Sequence, residues 1–386
     1  VLGQMVKNGV ITESKKEELK KLPIKLDFRP ESHSEGSATY FREYLRDYMR
    51  KWVKTHLKPD GTEYDLYRDG LKIYTTIDSK MQQYAEEAVT EHLKNLQKEF
   101  FIASKDKENA PFVDITPEQT QQIMLQAKKN SERWRKMDLN GKTKEEILKS
   151  FDVPAKMKIF TYEGEKDTIM KPTDSIIYYK HMLQTGMMAM EPRSGHIKAW
   201  VGGVNYKYFQ YDHVGQGARQ VGSTFKPFLY ATAIEQLGMS PCDSIIDSYF
   251  TMPKGKWGID KDWSPKNSDG NYRGTTTLQK ALANSINTVS AKLIDRVGPQ
   301  AVVDMAKELG VTSDIPVQPS IALGAVDITV EQMVGAMSTF ANQGVYVKPT
   351  FIIKIEDKNG VVIDQPVPVT KDVVNKDVAY AVVKLM

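Results

Sequence analysis

Apolar positions in this chain recur at two periods, and the changes between them outline its elements. Spacings of three and four put residues on one face of a helix, whereas strict alternation marks a half-buried strand. Residues 39–57 carry Phe41, Tyr44, Leu45, Tyr48, Met49 and Trp52 as one helical stripe. A shorter helix is predicted at 13–22, with Pro30, His33, Gly36 and Pro59 punctuating the polar stretch around it. Residues 71–76 alternate as a strand, and a helix follows over 79–99, capped by Asp78 or Ser79. Residues 116–137 read as an amphipathic helix with Pro117 in its first turn. Residues 143–151 read as another, with Glu146 closing a capping box on Thr143. Hairpins are predicted at 182–201, around Pro192–Gly195, and at 352–364, around Lys358-Asn359-Gly360. The run 228–237 is a helix stopped by Gly238, and a last helix is predicted at 378–386. The helical segment 277–297 carries Leu278, Ala281 and Leu282, then Val289, Leu293 and Val297, and breaks at 285–287. There is no internal repeat.

Composition then sets bounds. The 386 residues suffice for one large domain and a smaller one. Hydrophobic residues at 40% and charged residues at 26% are ordinary for a folded protein. A net charge of +4, without a basic stripe interleaved with aromatics, excludes nucleic acid as the expected partner. One cysteine, Cys242, rules out an internal disulfide and is read as a small buried residue. His33, His56, His92, His181, His196 and His213 show no metal-ligand spacing, so no metal and no cofactor is expected. Gly141-Lys142-Thr143 lacks the upstream glycine of a phosphate-binding loop. Trp257 and Trp263 read equally as core residues or as cleft walls.

The chemistry gathers around Ser223-Thr224-Phe225-Lys226. Three residues apart on a helix, a serine and a lysine share a face, and an amine in reach of a hydroxyl can activate it. The pattern alone is weak, since chance supplies S-x-x-K about once or twice in a chain of this length. Ser104 and Lys107 match it too, inside a charged stretch. Context separates the two. Gly222 permits a tight backbone before the serine, Pro227 suits a first helical turn, and an apolar run follows. Ser223 is thus expected at a helix N-terminus, where free N–H groups favour negative charge. Phe225 and Phe228 argue for a partly buried, neutral Lys226. A bare N-cap serine and a solvated lysine are the plain alternatives. Ser285-Ile286-Asn287, the one S-x-N in the chain, falls at the helix break and presents a hydroxyl and an amide, either toward a cleft or as caps.

S-x-x-K, S-D-N and K-T-G form the set shared by penicillin-binding proteins and class A β-lactamases. The run 219–228, R-Q-V-G-S-T-F-K-P-F, resembles the nucleophile motif of bifunctional class A penicillin-binding proteins. Residues 71–78, 190–203, 264–267 with 272–274, and 322–346 resemble other segments of that family. Residues 1–13 resemble the close of its glycosyltransferase domain. The resemblance implies an α/β fold of α+β type, an antiparallel sheet flanked by helices like that of the transpeptidase and β-lactamase folds. It divides the chain into 1–67 (glycosyltransferase tail and linker), 68–99 (lead-in strand and helix), 100–170 (a charged helical insertion without a counterpart in the family core) and 171–386 (transpeptidase core). K-T-G is expected beyond Met386, because Gly141-Lys142-Thr143 and Gln184-Thr185-Gly186 both precede the serine. The chain is therefore expected to be a piece of a longer protein, truncated within its fold and short of half its oxyanion hole.

The resemblance further implies serine acyl transfer from a D-alanyl-D-alanine stem peptide. Ser223 is expected to attack, Lys226 to take its proton, Ser285 to relay a proton to the leaving amine, and Asn287 to hold the substrate amide and orient Lys226. Peptidoglycan stem peptides, lipid-linked precursors and β-lactams are the implied ligands, and cell-wall synthesis proteins the implied partners. The implied parent is membrane-anchored, facing outward from the bacterial cytoplasmic membrane. The alternatives are a carboxypeptidase or β-lactamase of the same fold, and a non-catalytic scaffold.

Overall fold

The computed structural model of the chain describes residues 1–22, 36–107 and 109–386, in two compact units, Val1–Gly36 and Ser37–Met386. In the first unit, the Thr12 hydroxyl accepts the Lys15 N–H at 3.2 Å and so starts the helix Glu13–Lys20. Pro30 and His33 lie outside the described residues.

In the second unit, the aromatic stripe forms the helix Thr39–Thr55 and buries Tyr40, Phe41, Met49 and Trp52. They pack against Ile197, Trp200, Phe351 and Ile355. The strand Lys72–Thr75 pairs antiparallel with Ile352–Glu356, which pairs in turn with Val362–Asp364. The hairpin Met187–Met190 with Ile197–Val201 is tied to this sheet by backbone bonds. Ile197 N–H donates to Thr350 O at 2.9 Å, and Asp78 N–H to Lys198 O at 2.9 Å. A side chain covers the hairpin's edge. From the helix Ser79–Ser104, Gln82 Nε2 donates to Trp200 O at 2.9 Å while Trp200 N–H donates to Gln82 Oε1 at 2.7 Å. The amide stands in for a neighbouring strand and leaves neither buried backbone group unpaired. All the named strand pairs are antiparallel, and helices flank them, as the sequence predicts.

A second, mostly helical core holds the elements that carry the candidate site. It joins Phe225, Phe228 and Tyr230 to Leu278, Val289, Leu293, Val302, Phe340 and Val382.

Three predictions are corrected. The helix predicted at 116–137 is two, Pro117–Asn130 and Glu132–Leu139, because the Ser131 hydroxyl accepts the Trp134 N–H at 3.2 Å and caps a new start. The charged stretch also holds an antiparallel hairpin, Ala155–Thr161 with Gly164–Met170. There Lys156 and Lys158 face solvent while Met157 and Ile159 face inward. Cys242 is exposed rather than buried. It sits in a turn after Gly238 that Asp243 closes by accepting the Ser240 N–H at 2.9 Å.

Candidate active site

The segment before the nucleophile is fixed by pairing. Arg219–Gln220 forms a short ladder with Asp327–Ile328. The backbone then runs on through Val221 N–H to Val326 O at 3.0 Å and Gly222 N–H to Gly324 O at 3.1 Å. Gly324 adopts φ +70°, and a Cβ there would lie 1.8 Å from Gly222 O. Only glycine permits this approach. Gly222, itself at φ +55°, turns the chain into a single 3-10 turn, Gly222–Phe225, which leads into the helix Lys226–Leu237. That helix is buried continuously from Lys226 to Ile234 and ends at Gly238 in the left-handed conformation. A rigid, buried helix thus presents an exposed Ser223 at its entrance, with Lys226 fully buried behind it.

The predicted helix break is also present. The helix Leu278–Ala283 stops, Ser285 takes φ +51°, and the helix Asn287–Val297 begins. A left-handed serine costs of order 1–3 kcal/mol and persists only where its surroundings fix it. Here Lys226 Nζ donates to Ser285 O at 2.7 Å, to Ser285 Oγ at 2.9 Å and to Asn287 Oδ1 at 2.8 Å. The Ser285 hydroxyl in turn donates to Ser223 Oγ at 2.9 Å. All four residues picked out from the sequence therefore meet. One expectation differs in detail. Among the described residues, Ser223 and Lys226 share no direct hydrogen bond, and Ser285 bridges them. The three acceptors hold the amine on the Ser285 side.

Burial pulls the Lys226 amine down from its usual range to about 8. A fully charged lysine makes three N–H donations, which matches its three acceptors here. On losing one proton it gains a lone pair able to accept from Ser285 Oγ–H, and the chain of bonds can then run from Ser223 toward the amine.

The second S-x-x-K match has no such setting. Ser104 ends a helix and donates to Phe101 O at 3.3 Å. The two tryptophans divide. Trp263 packs on the helical core, whereas Trp257 is exposed and walls a separate cleft of about 730 Å³ that none of the four site residues lines. Composition gave no sign of the contacts behind Asn287, where Asn287 Nδ2 donates to Lys266 O at 2.9 Å and Asn287 N–H to Asn267 Oδ1 at 3.0 Å.

Residues 185–386, which contain all four site residues, match the model of the penicillin binding protein transpeptidase domain. The chain belongs to this family. Residues 107–183 match the penicillin-binding protein middle domain, so most of the charged stretch does have a family counterpart. Penicillin-binding protein 1A of Aquifex aeolicus is 32% identical over 323 residues, covering 80% of this chain and 42% of that protein. That of Neisseria flavescens is 30% identical over 327 residues, covering 77% and 40%. The chain thus spans less than half the length of these relatives, whose 1A names agree with the class A resemblance. The crystal structure of penicillin-binding protein 1A from Haemophilus influenzae has the same fold, with a TM-score of 0.63 at 20% identity over 99% of this chain and 61% of that one. PonA1 from Mycobacterium tuberculosis, solved with penicillin V, aligns with a TM-score of 0.54 at 21% identity over 91% of this chain and 71% of that one. No helix among the described residues is long and apolar enough to cross a membrane.

Proposed function

We propose that this penicillin-binding chain is the acyl-transfer part of a peptidoglycan synthase, with Ser223 as nucleophile. The observation that carries the reading is the unbroken hydrogen-bonded path from Ser223 through Ser285 to a buried, depressed lysine that Asn287 steadies. As Ser223 Oγ bonds to the penultimate D-alanine carbonyl carbon, its proton passes to Ser285, and the Ser285 proton passes to neutral Lys226. The carbon–nitrogen bond then breaks, and the ammonium returns a proton through Ser285 to the departing D-alanine amine. The Ser223 N–H, in the first turn where no intrahelical acceptor exists, supports the developing oxyanion. An amine from a second stem peptide then attacks the ester carbon and gives up a proton, which neutral Lys226 takes; the bond to Ser223 Oγ breaks, and the proton returns through Ser285 to Ser223.

The whole protein is proposed to carry a glycosyltransferase as well, to use lipid-linked precursors and to work on the outer face of the bacterial cytoplasmic membrane. The test is a donor pentapeptide ending in D-alanyl-D-alanine, supplied with an amine acceptor and followed by mass spectrometry in the full-length protein that carries this chain. Release of D-alanine with a ligated product is the expected result. Release with hydrolysed product alone would assign a carboxypeptidase. No release would leave a β-lactamase or a scaffold, and turnover of penicillin separates those two.

A further inference from the structure

The helix that carries Asn287 lacks a cap of its own. Its N-cap residue is Ile286, which has no side chain able to accept a hydrogen bond, and the residue before it is the strained Ser285. The cap comes from another loop. Asn267, buried to 6% exposure, turns its Oδ1 toward this helix start and accepts the N–H groups of Asn287 at 3.0 Å and Thr288 at 3.1 Å. A carboxamide can face either way, and the wrong way round it would point two donors at two donors. What sets its orientation is Asp247, buried to 1% exposure at the end of the strand Ser244–Asp247. Ionised, Asp247 only accepts, so it draws the Asn267 Nδ2 to its Oδ1 at 2.9 Å. Asn271 O takes the other Nδ2 hydrogen at 2.8 Å. Asp247 also accepts from Thr288 Oγ1 at 2.5 Å and from the Arg273 N–H at 2.9 Å. Burial by itself would raise this carboxyl. The hydrogen bonds from Thr288, Asn267 and Arg273, together with the Arg273 guanidinium, outweigh it and hold the group below the usual carboxylate range.

We infer that Asp247 and Asn267 form a clamp that positions Asn287, and through it the Lys226 amine. Neither touches Ser223 or Lys226, so they are positioning residues for the acyl transfer proposed above, on which this role rests. The path is continuous: Asp247 orients Asn267, Asn267 fixes the first turn of the helix, and that turn aims Asn287 Oδ1 at Lys226 Nζ. An amine freed from Asn287 has a wider range of positions and meets Ser285 less often in the geometry that passes a proton.

The test uses Asp247→Asn in the full-length protein, with thermal melting to show that it folds. The carboxamide introduced at position 247 cannot accept on both sides: its NH2 meets either the Asn267 Nδ2 or the Arg273 N–H, so Asn267 loses the partner that fixes its orientation and the helix start is capped less firmly. Exchange of the Asn287 and Thr288 amide hydrogens, measured without any β-lactam, is expected to quicken about tenfold or more, while amides deeper in the helix keep their protection. The rate of fluorescent-penicillin capture is expected to fall roughly 10- to 100-fold. Asn267→Ala removes the acceptor outright and is expected to show both effects at full size. Adding Asp247→Asn to it is expected to change neither readout much further, because the two residues act along one path. Unchanged exchange at Asn287 and Thr288 in Asn267→Ala, or effects of the two substitutions that simply add, overturns the clamp. If the unmodified protein captured no penicillin, the acyl-transfer reading would fall, and the exchange arm would still decide whether the clamp exists.

Discussion

Replacing Gly324 with alanine tests how far the nucleophile depends on the backbone behind it. The new methyl would sit 1.8 Å from Gly222 O and 2.4 Å from Gly222 C, both main-chain atoms that no rotamer change can move aside. An unstrained contact needs about 3.5 Å, so roughly 1.7 Å must come from backbone displacement. Holding alanine at φ +70° adds about 1–2 kcal/mol. Overpacking a closed contact adds about 1–3 kcal/mol. Gly222 immediately precedes Ser223, so relief of the clash moves the nucleophile relative to Ser285. A misplacement near 1 Å costs on the order of 100-fold in rate. Gly324→Ala is therefore expected to melt at a lower temperature and yet, at a temperature where it remains folded, to capture penicillin about 100-fold more slowly. Folded Gly324→Ala protein with the wild-type capture rate would refute the reasoning.

Ser285→Ala removes the bridge between Ser223 and Lys226, and acylation is expected to slow by about 100- to 10,000-fold, measured by rapid-quench labelling. Because Lys226 acts as a base only when neutral, and burial sets its pKa at about 8, the acylation rate should rise with pH through that value and then level off. A rate that falls across this range would place the charged amine in the active form instead. Gln82→Ala leaves Trp200 N–H and O without partners, and is expected to lower stability by about 2–4 kcal/mol in denaturant titration.

The parts of this site that are legible in the sequence are those with short-range signals. Ser223 and Lys226 are marked by spacing, by the glycine before and by the apolar helix after. Ser285 and Asn287 are marked by a break in a helical stripe. The bridging role of Ser285 is not legible, because shared-face spacing suggests direct contact. The left-handed turn at Ser285, which brings its hydroxyl and its carbonyl onto the amine, exists only once the two helices pack. Asp247 carries no local signal at all, since its partners lie 20 to 41 residues further along the chain, at Asn267 and Arg273 and in the first turn of the helix at Thr288. The hairpin at Ala155–Thr161 shows period-two alternation, but in a stretch so rich in lysine and glutamate the inward face has few apolar residues to mark it. Cys242 departs from expectation because small apolar residues are usually buried, and a turn governed by Asp243 overrides that tendency.

The central claim is that Ser223 is a nucleophile served through Ser285 by Lys226. The most direct measurement is intact-mass and peptide mapping of the full-length protein after saturating exposure to penicillin. The account predicts a single penicilloyl adduct on Ser223 that is lost in Ser223→Ala and forms far more slowly in Lys226→Ala. A folded protein that takes up no adduct, or takes it on another residue while Ser223→Ala labels normally, would contradict it.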